Sequence, residues 1–474
     1  MKRKLNVLLA LMLALVLVLV ACGDSTPDKP ATDQPVDEPT TGEETEEPTD
    51  EPTDEPAAEG WQIPTGLTGE ISVQTEEGWK DYYQKAVDKI IAVNPDAKIE
   101  LKELGSFDHL DVIGSTDASN ADVADVFAVP ADRYNDLVDN VVLGLLPADE
   151  MAAELGGFGN YDDTLGGILK SDEGYFAFPM NIETLVTFVN TKNAEVAGVD
   201  ATMPIELVGQ ENEATVLLPI FDAWFGVAPN NAGGIDFLAE NDGEFSSTYT
   251  GNYEELNADQ KAAFDGMYEY WKQHNEAGTS LFDAEAGWGY IDDQFREGGN
   301  GIIRLEGPWA TAAGVIAEEI EKGNIEVYPV SHITVAGKPL AHWQAGWGLG
   351  INARIEEDED KVALAKALIM ELVNPENAVD FYKSTGKILQ NVEPAVYEDS
   401  DLSDIDKSVI ANIFESYDVS PPRPIFKEYG QVWETWKNAV LSWNSVNPAD
   451  PAAAYEQLQA SFTDMMTQVD AMQQ

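Results

Sequence analysis

Apolar positions along most of this 474-residue chain recur first with the spacing of a strand and then with the spacing of a helix, in alternation. Residues 70–74 predict a strand, and the apolar residues from Tyr83 onward predict a helix that ends at Asn94 and Pro95. The other predicted strands are 98–101, 125–129, 175–178 and 185–189. The other predicted helices lie near 109–113, at 362–372 and at 432–443, and a further helix follows Asn257, which would cap it. This order predicts an α/β fold with parallel strands, and the length allows two lobes with separate cores.

The N-terminus has a different pattern. Three cations at positions 2–4 precede an apolar stretch, residues 7–21, which has no charged side chain and is too short for a comfortable membrane-spanning helix. The stretch ends in Leu-Val-Ala-Cys22, which resembles the lipobox of bacterial lipoproteins. That resemblance implies a signal peptide, residues 1–21, cut before Cys22, and a lipid such as palmitate on the Cys22 sulfur. The alternative is an ordinary signal peptide with a chance cysteine.

Cys22 is the single cysteine of the chain, which excludes disulfides, zinc–cysteine sites and a thiol nucleophile elsewhere. The residues that follow, up to Gly60, are rich in Pro, Thr, Asp and Glu and cannot bury enough apolar surface to fold. We therefore predict a disordered acidic linker over residues 22–60. Its prolines and like charges extend it, so it would serve as a spacer between a lipidated N-terminus and a body that begins at Trp61.

The acidity of the chain belongs mainly to its body. The formal net charge is −59, and residues 23–60 hold only 14 of the 86 Asp and Glu residues. A surface this acidic repels nucleic acid and anionic lipid, so we predict no nucleic-acid partner and no membrane contact except through a lipid anchor. A solubility role explains the charge more simply than the steering of a cationic ligand.

Catalytic and cofactor motifs are missing from the sequence. No phosphate-binding loop or serine nucleophile elbow is present, and the four histidines lack paired metal-ligand spacing. The glycines at 346, 348 and 350 lack the spacing of a dinucleotide loop, and we interpret them as a hinge or interlobe strand with close backbone approach. We therefore expect no cofactor, no metal and no enzymatic activity.

Several sequence segments, taken in order, carry a resemblance to a known family. They are Ala124–Tyr134 (ADVFAVPADRY), Gly174–Lys192 (GYFAFPMNIETLVTFVNTK), Glu306–Ala310 (EGPWA), Gly350–Ala353 and Trp433–Val440. Together these resemble the maltose-binding group of the family 1 extracellular solute-binding proteins, the recognition subunits of ABC sugar importers. The resemblance covers essentially the whole body.

This resemblance implies a two-lobed fold of the periplasmic-binding-protein type II class, with hinge strands between the lobes and the ligand held in the cleft. The first lobe would be residues 61–181 plus 348–399, and the second 182–347 plus 400–474. The implied function is capture of a maltodextrin-like oligosaccharide and its delivery to an ABC permease with a cytoplasmic ATPase. The implied location is the outer face of a bacterial cell membrane, where the protein would be a lipid-anchored monomer.

The resemblance also implies binding residues. Asp132 and Arg133 match an Asp-Arg pair that forms hydrogen bonds with sugar hydroxyls. The alternative is that Asp132 is an acid at a helix N-terminus and Arg133 is a surface arginine. Glu183 matches a hinge-strand glutamate, with a structural carboxylate as the alternative. Trp309 and Trp433 match stacking tryptophans, although any tryptophan in such a chain is about as often core. The remaining implied candidates are Phe221 and Trp224, one of which can be core, and Lys437, which stands where the family has an arginine.

Departures from the family pattern limit the choice of sugar. The Asp-Lys pair of the family falls on Glu76 and Glu77, so a cationic donor is missing at this point. A tryptophan of the family is replaced by Val129, although Trp79 in the neighbouring loop could supply a ring. These differences leave open the alternative that a protein of the same architecture binds a polyol, a peptide or a cationic osmolyte. A surface glycan-degrading enzyme and a purely structural lipoprotein are further alternatives.

Overall fold

A computed structural model describes residues 60–241 and 243–473 of the chain. The predicted signal peptide, Cys22 and almost all of the predicted linker lie outside these residues. Within them, no helix combines the length and the apolar character that a membrane crossing requires.

Strands and helices alternate through the described residues, as the hydrophobic pattern predicts. The strands are β1 (Glu70–Thr75), β2 (Lys98–Glu103), β3 (Val126–Pro130), β4 (Leu143–Gly144), β5 (Lys170–Ser171), β6 (Gly174–Tyr175), β7 (Ala177–Glu183), β8 (Val186–Asn190), β9 (Ile205–Glu206), β10 (Val216–Leu217), β11 (Ala239–Asn241), β12 (Glu244–Ser246), β13 (Ile303–Glu306), β14 (Ile325–Pro329), β15 (Ile333–Val335), β16 (Lys338–Pro339), β17 (Ala345–Asn352) and β18 (Ile388–Leu389).

The helices separate these strands and cover their sheets. They are α1 (Lys80–Val93), α2 (Ser106–Ser115), α3 (Tyr134–Asp139), α4 (Ala148–Leu155), α5 (Leu165–Ile168), α6 (Thr191–Ala197), α7 (Ala223–Gly233), α8 (Ala258–Ala277), α9 (Gly287–Phe295), α10 (Gly314–Glu321), α11 (Glu359–Leu372), α12 (Ala378–Thr385), α13 (Pro394–Glu398), α14 (Asp404–Asp418), α15 (Val432–Val446) and α16 (Pro451–Met472). Short 3-10 turns, among them Glu77–Trp79, Ala131–Arg133 and Pro308–Thr311, link several of them.

Two sheets organise the α/β fold. The larger has the strand order β18-β7-β17-β3-β1-β2, with β4 also paired to β17. Its β1, β2 and β3 are parallel, whereas β17 runs antiparallel to β3 and to β7. The second sheet has the order β10-β13-β8-β14, in which β8 is antiparallel to both neighbours. The described residues thus form an α/β fold with two principal sheets.

Local sequence explains most of these elements. The predicted helix before Asn94 is α1, which buries Tyr83, Val87 and Ile90 on one face. Asn257 caps α8, because its side chain accepts hydrogen bonds from the backbone N–H groups of Asp259 and Gln260. These two predictions are confirmed.

One predicted strand is wrong in its extent. The segment 175–178 is divided between β6, which pairs with β5, and β7, which pairs with β17. The backbone carbonyl of Tyr175 accepts a hydrogen bond from Leu146, outside the large sheet. β6 therefore belongs to a two-stranded sheet with β5, and β7 belongs to the large sheet.

The glycine-rich segment is the central strand β17, every residue of which is buried. A Cβ atom at Gly346 would lie 2.3 Å from the backbone oxygen of Asn181, and one at Gly350 would lie 2.5 Å from a side-chain carbon of Leu143. The predicted close backbone approach is therefore confirmed. Pairing between β17 and β7 shifts register between Trp347 and Gly348.

Candidate functional site

A cavity of about 580 Å³ brings together aromatic and charged side chains from distant parts of the chain. It is lined by 3-10 turns, strand ends and loops, including the last residues of β7 and the turn after β13. Its aromatic and charged lining residues are Trp79, Phe107, Trp224, Trp309, Trp347, Glu76, Asp132, Glu183, Lys387 and Arg423. Six of these were predicted from the sequence: Glu76, Trp79, Asp132, Glu183, Trp224 and Trp309.

One end of the cavity is built around Arg423. Its Nη2 atom lies 2.8 Å from Oδ2 of Asp132, and the two side chains are only 7% and 16% exposed. The guanidinium carbon lies 4.8, 5.6 and 5.5 Å from the ring centroids of Trp224, Trp343 and Trp433. Each of these distances permits a cation–π contact. Arg423 is therefore oriented by one carboxylate and enclosed by three indole rings.

Two hydrogen-bond donors at this end lack partners. Nε of Arg423 and Nε1 of Trp224 are buried, and neither has an acceptor among the described residues. A buried donor without an acceptor costs about 1–3 kcal/mol, so an acceptor brought by a ligand would be favourable here.

The other end of the cavity centres on Glu183 and Lys387. Nε1 of Trp347 donates a hydrogen bond of 3.0 Å to Oε2 of Glu183. The second carboxylate oxygen lies 3.9 Å from Nζ of Lys387, beyond hydrogen-bond range. The ammonium group instead lies over the rings of Trp347 and Trp79, at 5.0 and 5.5 Å from their centroids. Lys387 thus supplies the cation that the predicted motif lacked.

Trp309 is positioned by a buried ion pair. Its Nε1 donates to Oε1 of Glu306 at 3.1 Å, and Oε2 of Glu306 lies 3.0 Å from Nη2 of Arg304. Burial raises the pKa of Glu306, and the Arg304 charge opposes this rise. A Cβ atom at Gly307 would lie 2.1 Å from the indole ring, so a side chain at this position would displace the ring. The indole is 40% exposed and borders the cavity.

Glu76 and Glu77, the predicted acids of the loop after β1, have different environments. Oε1 of Glu76 accepts a 2.6 Å hydrogen bond from the Ser106 hydroxyl at the start of α2, so this oxygen is already occupied. Glu77 is exposed and does not line the cavity. Trp79 is buried beside Tyr83, with ring centroids 6.3 Å apart. The two acids therefore give little support to a cationic ligand.

Four other predicted site residues lie outside the cavity. Phe221 is 2% exposed and packs edge-on against Phe282 and Trp288, so it is the core member of its predicted pair. Trp433 packs edge-on against Trp343 and Tyr429, and its ring lies over the Arg423 cation. Lys437 lies on the outer part of α15, 3.7 Å from Glu434. Arg133 faces a different cavity from its neighbour Asp132.

Sequence reasoning missed Arg423, Lys387, Phe107 and Trp347. Arg423 stands between two prolines and Lys387 follows Gly386, the left-handed glycine that ends α12. The only signal available for either residue was a cation next to proline or glycine. Trp347 was hidden because it lies within the glycine-rich segment that we interpreted as a strand.

The histidines are buried, and none lines the cavity. Desolvation lowers the pKa of His342 to about 3 and the pKa values of His109 and His274 to about 4, and it also lowers that of His332. In the described ranges, no three His, Cys, Asp or Glu side chains are arranged as metal ligands. His342 lies 2.7 Å from the carbonyl of Trp224 and supports the wall of the cavity.

Comparisons with known proteins identify the fold. No family model matches the chain, and no curated protein sequence matches it. Among solved structures, the maltose-binding periplasmic protein MalE from Listeria monocytogenes, in complex with maltose, is similar with a TM-score of 0.62 and 18% identity over 84% of this chain and 98% of that chain.

Two further solved structures agree. MalX from Streptococcus pneumoniae, in complex with maltopentaose, has a TM-score of 0.61 and 17% identity over 83% of this chain and 99% of that chain. The GacH receptor of Streptomyces glaucescens, solved unliganded and with acarbose, has a TM-score of 0.59 and 16% identity over 85% of this chain and 99% of that chain. The chain therefore has the two-lobed α/β fold of the maltose-binding proteins.

Proposed function

We propose that this protein is the substrate-binding lipoprotein of an ABC importer and that it captures a maltodextrin-like oligosaccharide in the cavity. The observation that carries the proposal is the combination of aromatic rings with carboxylates and cations on one concave surface. Sugar rings have apolar C–H faces and a polar rim of hydroxyls, so they need both kinds of contact.

Each part of the cavity has a function in this proposal. The exposed face of Trp309 packs against a sugar ring. Asp132 and Glu183 accept hydrogen bonds from hydroxyl groups, while Lys387 and Arg423 donate them. No step forms or breaks a covalent bond.

The solved structures with this fold support a sugar as the ligand. Their ligands include maltose, maltopentaose and acarbose. Since their identity to this chain is at most 18%, the choice of maltodextrin rests on the cavity as much as on the fold.

We assign the first lobe to residues 61–181 plus 348–399 and the second to 182–347 plus 400–474. With these boundaries β7 and β17 both cross between the lobes, and the residues at the two crossings, Asn181 and Trp347, are paired. The register shift after Trp347 supports a hinge at this point. A ligand would then contact both lobes and favour their closure.

We further propose that lipid on Cys22 holds the protein at the outer face of the cell membrane, next to its permease and the associated ATPase. The acidic linker would let the body move while it remains tethered. Mass spectrometry of the mature N-terminal peptide checks this assignment. An unmodified Cys22, or a chain that begins elsewhere, would contradict it.

Isothermal titration calorimetry of the body with maltose, maltotriose and maltotetraose tests the sugar-binding function. We expect Trp309→Ala to weaken binding by about 2 kcal/mol, or about 30-fold in Kd, because it removes a stacking ring. Trp61→Ala, which removes a partly buried tryptophan outside the cavity, is the matched control and leaves Kd unchanged.

Three outcomes separate the alternatives. Binding of a polyol, a peptide or a quaternary amine in place of every sugar would assign the same fold to a different solute. New reducing ends after incubation with maltodextrins would indicate an enzyme. The absence of binding by any of these compounds would favour a structural lipoprotein.

A further inference from the structure

A short segment of the second proposed lobe lies against the first. Residues 420–427, which we call the strap, have the sequence Ser-Pro-Pro-Arg-Pro-Ile-Phe-Lys and begin just after α14. Three of these eight residues are prolines, each of which holds its own φ at about −65° and restricts the residue before it. The strap therefore has little freedom to change shape when its neighbours move.

The strap is fixed to its own lobe near both of its ends. The backbone N–H of Gln344 donates to the carbonyl of Pro421 at 2.8 Å, and the N–H of Arg423 donates to the carbonyl of Gln344 at 3.2 Å. Further along, the Phe426 ring packs edge-on against Phe245, with ring centroids 5.1 Å apart. These partners all belong to the second proposed lobe, so the strap moves with that lobe.

Polar contacts join the strap to α3, which belongs to the first proposed lobe. Nδ2 of Asn135 donates a hydrogen bond of 2.8 Å to the carbonyl of Ile425. Nζ of Lys427 lies 3.3 Å from Oδ2 of Asp139 at the other end of the same helix. Both contacts add to the buried ion pair that Arg423 forms in the turn before α3. The strap thus meets the first lobe at three successive points.

The side chain of Ile425 adds an apolar contact to these polar ones. It is partly buried and packs against a hydrophobic cluster that includes Phe127 and Leu137. The buried members of that cluster all lie between Ile113 and Ala177, within the first proposed lobe. A residue of the second lobe therefore completes the edge of a core that belongs to the first.

We infer that the strap restrains the separation of the two lobes when no ligand is bound. A movement of the second lobe away from α3 breaks the two ion pairs, the hydrogen bond and the Ile425 contact together. Because the cavity needs side chains from both lobes, a strap that keeps the lobes adjacent raises the fraction of molecules that are ready to bind. The inference rests on the lobe boundaries proposed above and does not depend on the identity of the ligand.

The test measures the distance between the lobes in the absence of a ligand. Spin labels at Asp88→Cys in α1 and Glu276→Cys in α8, both exposed positions, report this distance by double electron–electron resonance. The labelled protein carries Cys22→Ser, so it has no other thiol.

The strap variant combines Asn135→Ala with Lys427→Gln, and neither residue lines the cavity. Loss of one hydrogen bond and one ion pair should move the equilibrium between adjacent and separated lobes about tenfold towards separation. We therefore expect a population of longer distances that the unmodified protein has less of. Lys427→Gln alone is a milder variant, and it should give a smaller shift in the same direction.

A matched double variant controls for the lost amide and the lost charge. Asn412→Ala removes a side-chain donor to the carbonyl of Val327, and Lys338→Gln removes an ion pair with Asp259. Both interactions lie within the second proposed lobe, so the control keeps the distances of the unmodified protein. Thermal unfolding shows whether each variant is folded.

The outcomes separate this inference from the proposed function. Unchanged distances in the strap variant, or an equal shift in the control, would overturn the inference. Longer distances in the strap variant alone, together with a higher Kd for maltotriose, support it. If maltotriose does not bind the unmodified protein, the proposed function fails, and the distances measured without a ligand still decide the role of the strap.

Discussion

The two ends of the cavity lined by Arg423 and Lys387 hold their cations in different ways. Each end has a cation beside a carboxylate and over indole rings. Arg423 lies 2.8 Å from Asp132, whereas Lys387 lies 3.9 Å from Glu183. One cation is held by its ion partner, and the other is held mainly by aromatic rings.

This difference indicates different roles. The ion pair between Arg423 and Asp132 is buried and joins residues from the two proposed lobes. Without Arg423, the Asp132 carboxylate would be largely shielded from water and would have no ion partner. The three N–H donors of Lys387 make no hydrogen bond within the described residues and can be used by a ligand. We therefore expect the Arg423 end to determine stability and the Lys387 end to contribute mainly to affinity.

The largest expected effect follows from Arg423→Gln. Removal of the cation leaves Asp132 unpaired and removes contacts with three tryptophans, so the free energy of unfolding falls by about 3 kcal/mol. Urea denaturation of the body measures it. A loss below about 1 kcal/mol would mean that the pair is not a structural element, and the contrast between the two ends would fail.

A smaller effect concerns His342, which is buried behind the Arg423 end. Its pKa is lowered to about 3, chiefly by desolvation and in a smaller part by the Arg423 charge. The unfolded chain therefore binds a proton below pH 6.5 while the folded chain does not. The contribution of the neutral imidazole to stability is complete above pH 6.5 and is lost progressively as the pH falls towards 3.

Comparison with His342→Gln isolates this contribution from the other titrating groups. Between pH 7 and pH 5 the unmodified protein should lose about 2 kcal/mol relative to the variant, because each unit of pH below 6.5 is worth about 1.4 kcal/mol. Denaturant unfolding at several pH values measures the difference. Parallel pH profiles for the two proteins would show that His342 is not protected from protonation.

The smallest expected effect on stability follows from Lys387→Met. The substitution keeps a flexible apolar side chain against Trp79 and Trp347 but removes the charge, so the free energy of unfolding changes by about 1 kcal/mol or less. Its Kd for a bound maltodextrin should rise about fivefold, because a donor is lost. Calorimetry and urea denaturation together test the contrast. A variant that loses stability but not affinity would reverse the roles of the two ends.

Much of the fold could be predicted because its signals are local. The helix α1 and the Asn257 cap depend on neighbouring residues, and the sequence contains both signals. The division between β6 and β7 could not be predicted, because β7 joins the large sheet through β17, which is distant in sequence, while β6 pairs with the neighbouring β5.

The candidate site was harder to predict from the sequence than the helices and strands. The resemblance to solute-binding proteins led to Asp132, Glu183, Trp224 and Trp309, each of which lines the cavity. It also led to Arg133, which faces the neighbouring cavity. A motif indicates which residues are adjacent in sequence, but the direction of each side chain depends on the turn that carries it.

The sequence by itself determined the α/β pattern, the acidity of the body, the absence of any cysteine beyond Cys22 and the glycine strand with its close backbone approach. The first three depend on composition and on local periodicity. The fourth depends on the absence of a glycine side chain, although the backbone that approaches, at Asn181, is distant in sequence. Only the tertiary structure joined Asp132 to Arg423 and brought Lys387 to Glu183. Such pairs form because the order of strands in the sheets brings distant segments together, and no periodicity within either segment encodes that order.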